Sequence, residues 1–214
     1  MAETTTGRSN MQSPIKMFER YKNGDRLLGC RLSTVSTALS LLDYSKPNNF
    51  VETGTTRRFS SNPYETVGDG SMTRLFGEYV QRHGGHIWTC DIESSHIENC
   101  KLATEEYKDS ITYVVDDSIN FLRNFREEID FLYLDSVDGW HDAANDHQLK
   151  EIQSVIEILN ENTIILLDDL GSKTKLSIPF LKSRGWVQLV FENLPGSHNM
   201  AQALMIHKNR LCGI

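Results

Sequence analysis

Two stretches of this chain are almost unbroken runs of apolar residues, "IDFLYLD" at 129–135 and "NTIILLDD" at 162–169. A strand with apolar residues on both of its faces has to be covered on both sides. That is the condition of a parallel sheet sandwiched between helices. The segments around these runs alternate accordingly. Residues 49–53 read as a first strand. In "SMTRLFGEYVQRHGG" apolar residues recur at 72, 75, 76, 79 and 80, the helical period, and Gly84-Gly85 stops the helix. "HIWTCDI" reads as a strand, 94–107 as a helix and "ITYVVDD" as a strand. "INFLRNF" reads as a helix capped by Ser118, and "HQLKEIQSVIEIL" as another helix. "LSIPFLKSRG" is a further helix with Pro179 near its first turn, and "WVQLVFE" and "QALMIHK" close the chain as an antiparallel pair. The expected fold is α/β: a doubly wound, seven-stranded, mostly parallel, Rossmann-like sheet with an antiparallel final strand. Residues 1–12 are expected to be a disordered tail, and 13–214 one domain that opens with a helical segment over 13–45.

Composition narrows the partners. With 214 residues and 39% hydrophobic content the chain supports one sizeable core. Its 29 acidic against 22 basic residues give a formal charge of -7, a poor match to nucleic acid or an anionic membrane surface. No apolar run approaches a membrane span, and the first residues lack the apolar core of a signal peptide. The four cysteines, Cys30, Cys90, Cys100 and Cys212, are far apart and read as free thiols. A cytoplasmic location is expected, with a homo-oligomer left open.

Each of the five central strands ends in an acid: Glu52 with Gly54, then Asp91, then Asp116 and Asp117, then Asp135, then Asp168 and Asp169. Open α/β sheets bind ligands at this carboxyl edge. One acid at a strand end is an ordinary turn former or helix cap, but a series converging on one edge points to a site. Asp91 lies 37 residues beyond Gly54 but 21 beyond Gly70. The second spacing matches a ribose-binding acid about 20 residues after a glycine turn. The loop between Gly54 and Gly68 then reads as an insertion, either a lid that folds over a ligand or a plain surface excursion. Asp116 and Asp117 stand where a carboxylate could accept from an adenine amino group, with Ser118 beside them. Asp135, Asp168 and Asp169 would repel one another unless something neutralised them. A divalent cation would do so; the alternative is that Asp169 caps the next segment while Asp168 faces water. The loop "SVDGWHDAANDH" supplies Asp138, Trp140, His141 and His147 as a substrate wall. His141 is the preferred base because histidine titrates near neutrality, and Asp138 is the second candidate. His147 has a packing or capping role as its alternative.

Taken in order, "FVETGT", "TCDI", "VVDDS", "FLYLDS" and "IILLDD", followed by the closing strand pair, resemble the class I S-adenosylmethionine-dependent methyltransferases over residues 48–209. The resemblance implies a cofactor site made of Glu52, Gly54, Thr55, Asp69, Ser71, Asp91, Asp116, Asp117, Ser118 and Asp135. Within that family, "VETGT", the long loop to "DGSM" and "LDS…H…LKEI" are similar to the metal-dependent O-methyltransferases of the macrolide-sugar and catechol types. This implies Mg²⁺, or Mn²⁺ or Ca²⁺, on Asp135, Asp168 and Asp169, and methylation of a hydroxyl on a sugar, glycan or related small molecule. Two positions depart from the pattern. The glycine turn lacks its second glycine, and Asp138 stands where the catechol enzymes place a lysine base. Three other readings stay open: a metal-independent methyltransferase, a nicotinamide-dependent oxidoreductase, which should carry G-x-G-x-x-G after the first strand, and a non-catalytic partner of the same fold.

Overall fold

A computed structural model describes residues 31–59, 71–189 and 202–213. Helix α1 (Leu32–Ser40) leads into β1 (Asn48–Thr53), followed by α2 (Met72–His83), β2 (Gly85–Asp91), α3 (Ser94–Ala103), β3 (Ile111–Val115) and α4 (Ser118–Asn124). Then come β4 (Phe131–Leu134), α5 (Ala144–Val155), β5 (Ile164–Leu167), α6 (Ser177–Ser183), β6 (Trp186–Leu189) and β7 (Ala203–His207). The seven strands form one sheet in the order β3-β2-β1-β4-β5-β7-β6. Pairing is parallel from β3 through β5, and β7 runs antiparallel to both β5 and β6. The doubly wound, mostly parallel sheet expected from the sequence is the one observed.

The two apolar runs are buried on both faces, as their sequences require. From β4, Phe131 and Tyr133 enter the core under α1 and α2, while Leu132 and Leu134 enter the core under α4, α5 and α6. Ile164 and Leu166 divide from Ile165 and Leu167 of β5 in the same way. On the first face Phe50 stacks on Phe131 with centroids 4.9 Å apart, and Phe76 meets Tyr133 edge-on at 5.6 Å. Burying side chains of this size stabilises by about 1.5–3 kcal/mol each relative to exposure. That is why β4 and β5 sit at the centre of the sheet, with Asp135 and Asp168 directly after them.

Local boundaries differ from the sequence expectation in three places. The helix expected over 94–107 ends at Ala103, where the Thr104 hydroxyl donates to the Cys100 carbonyl (2.7 Å), and a 3₁₀ turn over Glu105–Ser110 follows. The helix expected to begin at His147 starts a turn earlier, at Ala144, and passes into a 3₁₀ turn over Ile156–Ile158. Ser118 does not cap α4. Asp117 does, accepting from the Asn120 amide (3.0 Å), and Ser118 is the first helical residue. The tail 1–12, the N-terminal helical segment before residue 31 and most of the inserted loop lie outside the described residues. Cys90 and Cys100 are buried, free thiols. Among the described residues no helix is long and apolar enough to cross a membrane.

Candidate functional site

The chain winds outward from β1 through β2 to β3, then returns to the other side of β1 as β4. This reversal opens a crevice between the loops after β1 and β4, the usual place for a ligand in such sheets. Gly54 makes the crevice possible. Its φ is 80°, and a Cβ there would overlap the Asp135 carbonyl oxygen and lie 3.1 Å from Ser136 Cα. Two cavities meet at this point. One is lined by Glu52, Gly54, Thr55, Thr56, Arg57, Met72, Asp91, Tyr133, Asp135 and Ser136 and has about 350 Å³ of space, the solvent at its open mouth included. The other, about 410 Å³ counted in the same way, is bounded by Gly54, Cys90, Asp91, Ile92, Asp117, Ser118, Ser136, Val137 and His147. Gly54, Asp91 and Ser136 belong to both walls, so the two form one elongated cleft.

Asp91, the last residue of β2, is held by its surroundings. Its Oδ1 accepts from the Glu93 amide (2.9 Å) and contacts His96 Nδ1 (3.1 Å), and among the described residues its Oδ2 receives only a long contact from the Thr55 amide (3.4 Å). That leaves Oδ2 able to accept from a ligand hydroxyl. Glu52 is 1% exposed, and its Oε2 accepts from the hydroxyls of Thr73 (2.7 Å) and Thr89 (2.6 Å). Burial pushes this carboxyl up to about 8, helped by the charges of Asp135 and Asp91; the two threonine bonds only partly offset that. At the other end, Ser118 Oγ lies 2.9 Å from His147 Nε2, which is 3.7 Å from Glu151 Oε1. Burial also raises the Glu151 carboxyl, with His147 pulling the other way.

Asp135, Asp168 and Asp169 converge as expected, with one carboxylate oxygen from each lying within 4.8 Å of the others. Adjacent residues of a strand point to opposite faces, so Asp168 and Asp169 can share a volume only if the backbone turns between them. It does: Asp169 has a φ of 54°, the left-handed conformation that few non-glycine residues adopt. The charges in this cluster are met from within the protein. Arg31, just ahead of α1, donates to Asp168 through Nε (2.8 Å) and Nη2 (2.6 Å), and Gln202 Nε2 donates to the same carboxylate (2.9 Å). Lys173 Nζ stands 2.5 Å from Asp135 Oδ1 and 3.1 Å from Asp169 Oδ2. Burial works against the charge of Asp168, but Arg31 outweighs it and holds this carboxyl below the usual range. Asp135 goes the other way. Burial and the Asp168 charge push it up to about 7 against the pull of Lys173. The residues present therefore do not fit a divalent ion as they stand, because side-chain cations already occupy the places such an ion would take.

The remaining expected residues are distributed unevenly. Thr55 is in the cleft wall; Ser71 precedes α2 with a φ of 44° and its neighbour Met72 is in the wall. Asp69 lies outside the described residues. Asp116 is turned toward its own helix start, its Oδ1 accepting from the Asp117 amide (2.8 Å), and lines neither cavity. Asp138 lines neither cavity but pairs with Arg57 (3.2 Å), which lines the first. His141 is exposed on the loop after β4, where its Nδ1 accepts from the Ala143 amide (3.2 Å), and it lines neither cavity. Sequence reasoning missed Arg31, Lys173, Gln202 and the Thr73–Thr89 pair. Lys173 alone left a trace, standing four residues after Asp169.

The comparisons with known proteins agree with this geometry. A family model described as a methyltransferase domain matches residues 66–170. No curated protein matches the chain in sequence. Among solved structures, the chain is similar to the SAH-bound methyltransferase PaMTH1 of Podospora anserina (TM-score 0.58, 16% identity, covering 92% of this chain and 88% of that one). It is also similar to a precorrin-6y C5,15-methyltransferase from Geobacter metallireducens GS-15 (0.59, 15%, 86% and 92%) and to the calicheamicin methyltransferase CalS11 (0.59, 10%, 94% and 93%). At such identities the likeness concerns the fold. The chain has the fold of the class I S-adenosylmethionine-dependent methyltransferases, and a methyltransferase-domain match spans its central segment.

Proposed function

We propose that this protein is an S-adenosylmethionine-dependent methyltransferase that acts on a hydroxyl of a small molecule such as a sugar or glycoside. The observation that carries the reading is the single cleft at the β1/β4 reversal. It is acid-lined at Glu52, Asp91 and Asp135 and continues past Asp117 and Ser118 into a more apolar chamber. S-adenosylmethionine, when bound, supplies a methyl group activated by the positive charge on its sulfur. In this reading Asp91 Oδ2 accepts from the ribose hydroxyls, and Asp117 and Ser118 bound the adenine. The small Gly54 lets the chain of the cofactor pass close to the backbone. Glu52 and Asp135 present carboxyls to the cationic end.

Methyl transfer to a hydroxyl also needs a proton acceptor and fixed alignment of the reacting atoms. Asp135 Oδ2 is the group we assign to the proton. Its side chain is about one quarter exposed, lines the cleft and is raised toward neutrality, whereas His141 sits outside the lining residues. Tyr133 and Lys173 hold the Asp135 carboxyl in place, with contacts of 3.2 Å and 2.5 Å. Trp140, 82% exposed on the loop after β4, and Leu170 after β5 offer an apolar wall for the rest of the acceptor. The test is mass spectrometry of products from a pool of sugars, glycosides and phenols incubated with methyl-labelled cofactor, with and without chelator. A labelled hydroxyl product supports the reading. Label appearing only on nitrogen or on a macromolecule would redirect it to another acceptor class.

A further inference from the structure

We propose that Lys173 and Arg31 are the resident counter-ions of the Asp135–Asp168–Asp169 cluster, and that Lys173 keeps divalent cations out of it. The inference builds on the methyltransferase reading, in which a metal at this place would otherwise be expected to bind the acceptor.

Three observations carry it. The first is position. The Lys173 ammonium touches Asp135 Oδ1 at 2.5 Å and Asp169 Oδ2 at 3.1 Å, so it bridges two of the three carboxylates that would have to ligate an ion. An ammonium and a divalent cation cannot share one pair of carboxylates without strong like-charge repulsion. The second is lone-pair occupancy. A carboxylate offers about four acceptor sites. Asp168 has filled three of them, with Arg31 Nε, Arg31 Nη2 and Gln202 Nε2, and is only 1% exposed. The third is crowding. A side chain at Gly139 would overlap Ser172 Oγ and lie 2.9 Å from Asp169 Oδ2, so the loop after β4 already closes over Asp169. An oxygen-ligated Mg²⁺ keeps several waters and needs a near-octahedral shell. With the Lys173 ammonium standing between Asp135 and Asp169, the cluster has no room for that shell.

The Lys173 side chain lies almost entirely out of water, at 3% exposure, and is buried among carboxylates. A lysine in that setting has a fixed place, unlike one on a solvated surface. It follows that removing the ammonium should create the site that it now closes. Among the described residues, Arg31 would then be the cation left against three converging carboxylates, which are the donor set of a hard divalent cation.

The experiment titrates Mn²⁺ into chelator-treated wild-type protein and into Asp169→Asn, Lys173→Met and Lys173→Met/Asp169→Asn, following bound metal by electron paramagnetic resonance and Tm by thermal melting. The wild type should bind no Mn²⁺ at this cluster at millimolar concentration, and its Tm should not move. Lys173→Met should gain about one Mn²⁺ per chain and a metal-dependent rise in Tm, both lost in the double variant. Wild-type binding of one Mn²⁺ that disappears in Asp169→Asn would overturn the proposal. So would a folded Lys173→Met chain that stays metal-free. If Lys173→Met folds only when Mn²⁺ is added, the proposal is supported; if it folds in neither condition, the wild-type titration decides. Titration of S-adenosylhomocysteine into the same wild-type samples reports on the methyltransferase reading separately, and its failure would leave the metal result standing.

Discussion

Glu52 gives the sharpest quantitative prediction. It is fully buried at the end of β1, and its carboxyl is raised from 4.5 to about 8 because burial disfavours the charged form. The unfolded chain releases this proton near pH 4.5, while the native chain keeps it to about pH 8. Between those values the native state binds more protons, so stability falls as pH rises; the contribution is full below the unfolded value and lost toward the folded one. One pH unit is worth about 1.4 kcal/mol, so the effect at pH 7 has a ceiling of about 3 kcal/mol. Relaxation around a cleft-lining group should bring it closer to about 2 kcal/mol. Glu52→Gln keeps an acceptor oxygen for the hydroxyls of Thr73 and Thr89 but cannot ionise. Asp135 and Glu151 are raised too, so the slope of the wild type alone does not isolate Glu52. The useful quantity is the difference between variant and wild type in urea unfolding at pH 5 and pH 8. The variant should gain on the wild type by a few kcal/mol across this range. A constant difference across pH would refute the claim that Glu52 is held neutral.

Further outcomes follow from the same geometry. Asp91→Ala should weaken S-adenosylhomocysteine binding by about 1.5–3 kcal/mol in calorimetry, the usual value of a hydrogen bond to a charged group, with little change in Tm. Asp168→Asn takes away the charged acceptor of two Arg31 hydrogen bonds and should destabilise the fold by about 1.5–3 kcal/mol in urea unfolding. Cofactor binding next to Glu52 should draw its carboxyl back toward the ionised form. Calorimetry at pH 7 in buffers of different ionisation enthalpy should then show net proton release, which Glu52→Gln reduces.

The elements were legible wherever one strand or helix fixed its own pattern. The apolar runs of β4 and β5 announced a doubly covered sheet, and the acids Glu52, Asp91, Asp117 and Asp135 marked its carboxyl edge. What escaped was set by tertiary contacts. Arg31 reaches Asp168 across 137 residues, and nothing in "GCRLSTV" distinguishes it from a surface arginine. Lys173 stands in a loop whose path depends on the left-handed turn at Asp169, a conformation that the residue type does not announce. Three converging carboxylates do need neutralising. The sequence could not show that the neutralising cations were two of the chain's own side chains. Asp117 rather than Ser118 caps α4 because both residue types cap well and only the φ and ψ of the turn choose between them.

Calorimetric titration of S-adenosylhomocysteine into the wild type and Gly54→Ala decides whether the β1/β4 cleft holds S-adenosylmethionine. An alanine at 54 would be strained by its positive φ and would press on the Asp135 backbone that divides the cleft. The wild type should show one site per chain, and Gly54→Ala should lose at least about tenfold in binding, some 1.4 kcal/mol or more. A folded wild type that binds neither S-adenosylmethionine nor S-adenosylhomocysteine, or a Gly54→Ala chain that binds as tightly as the wild type, would rule out this cleft as the cofactor site.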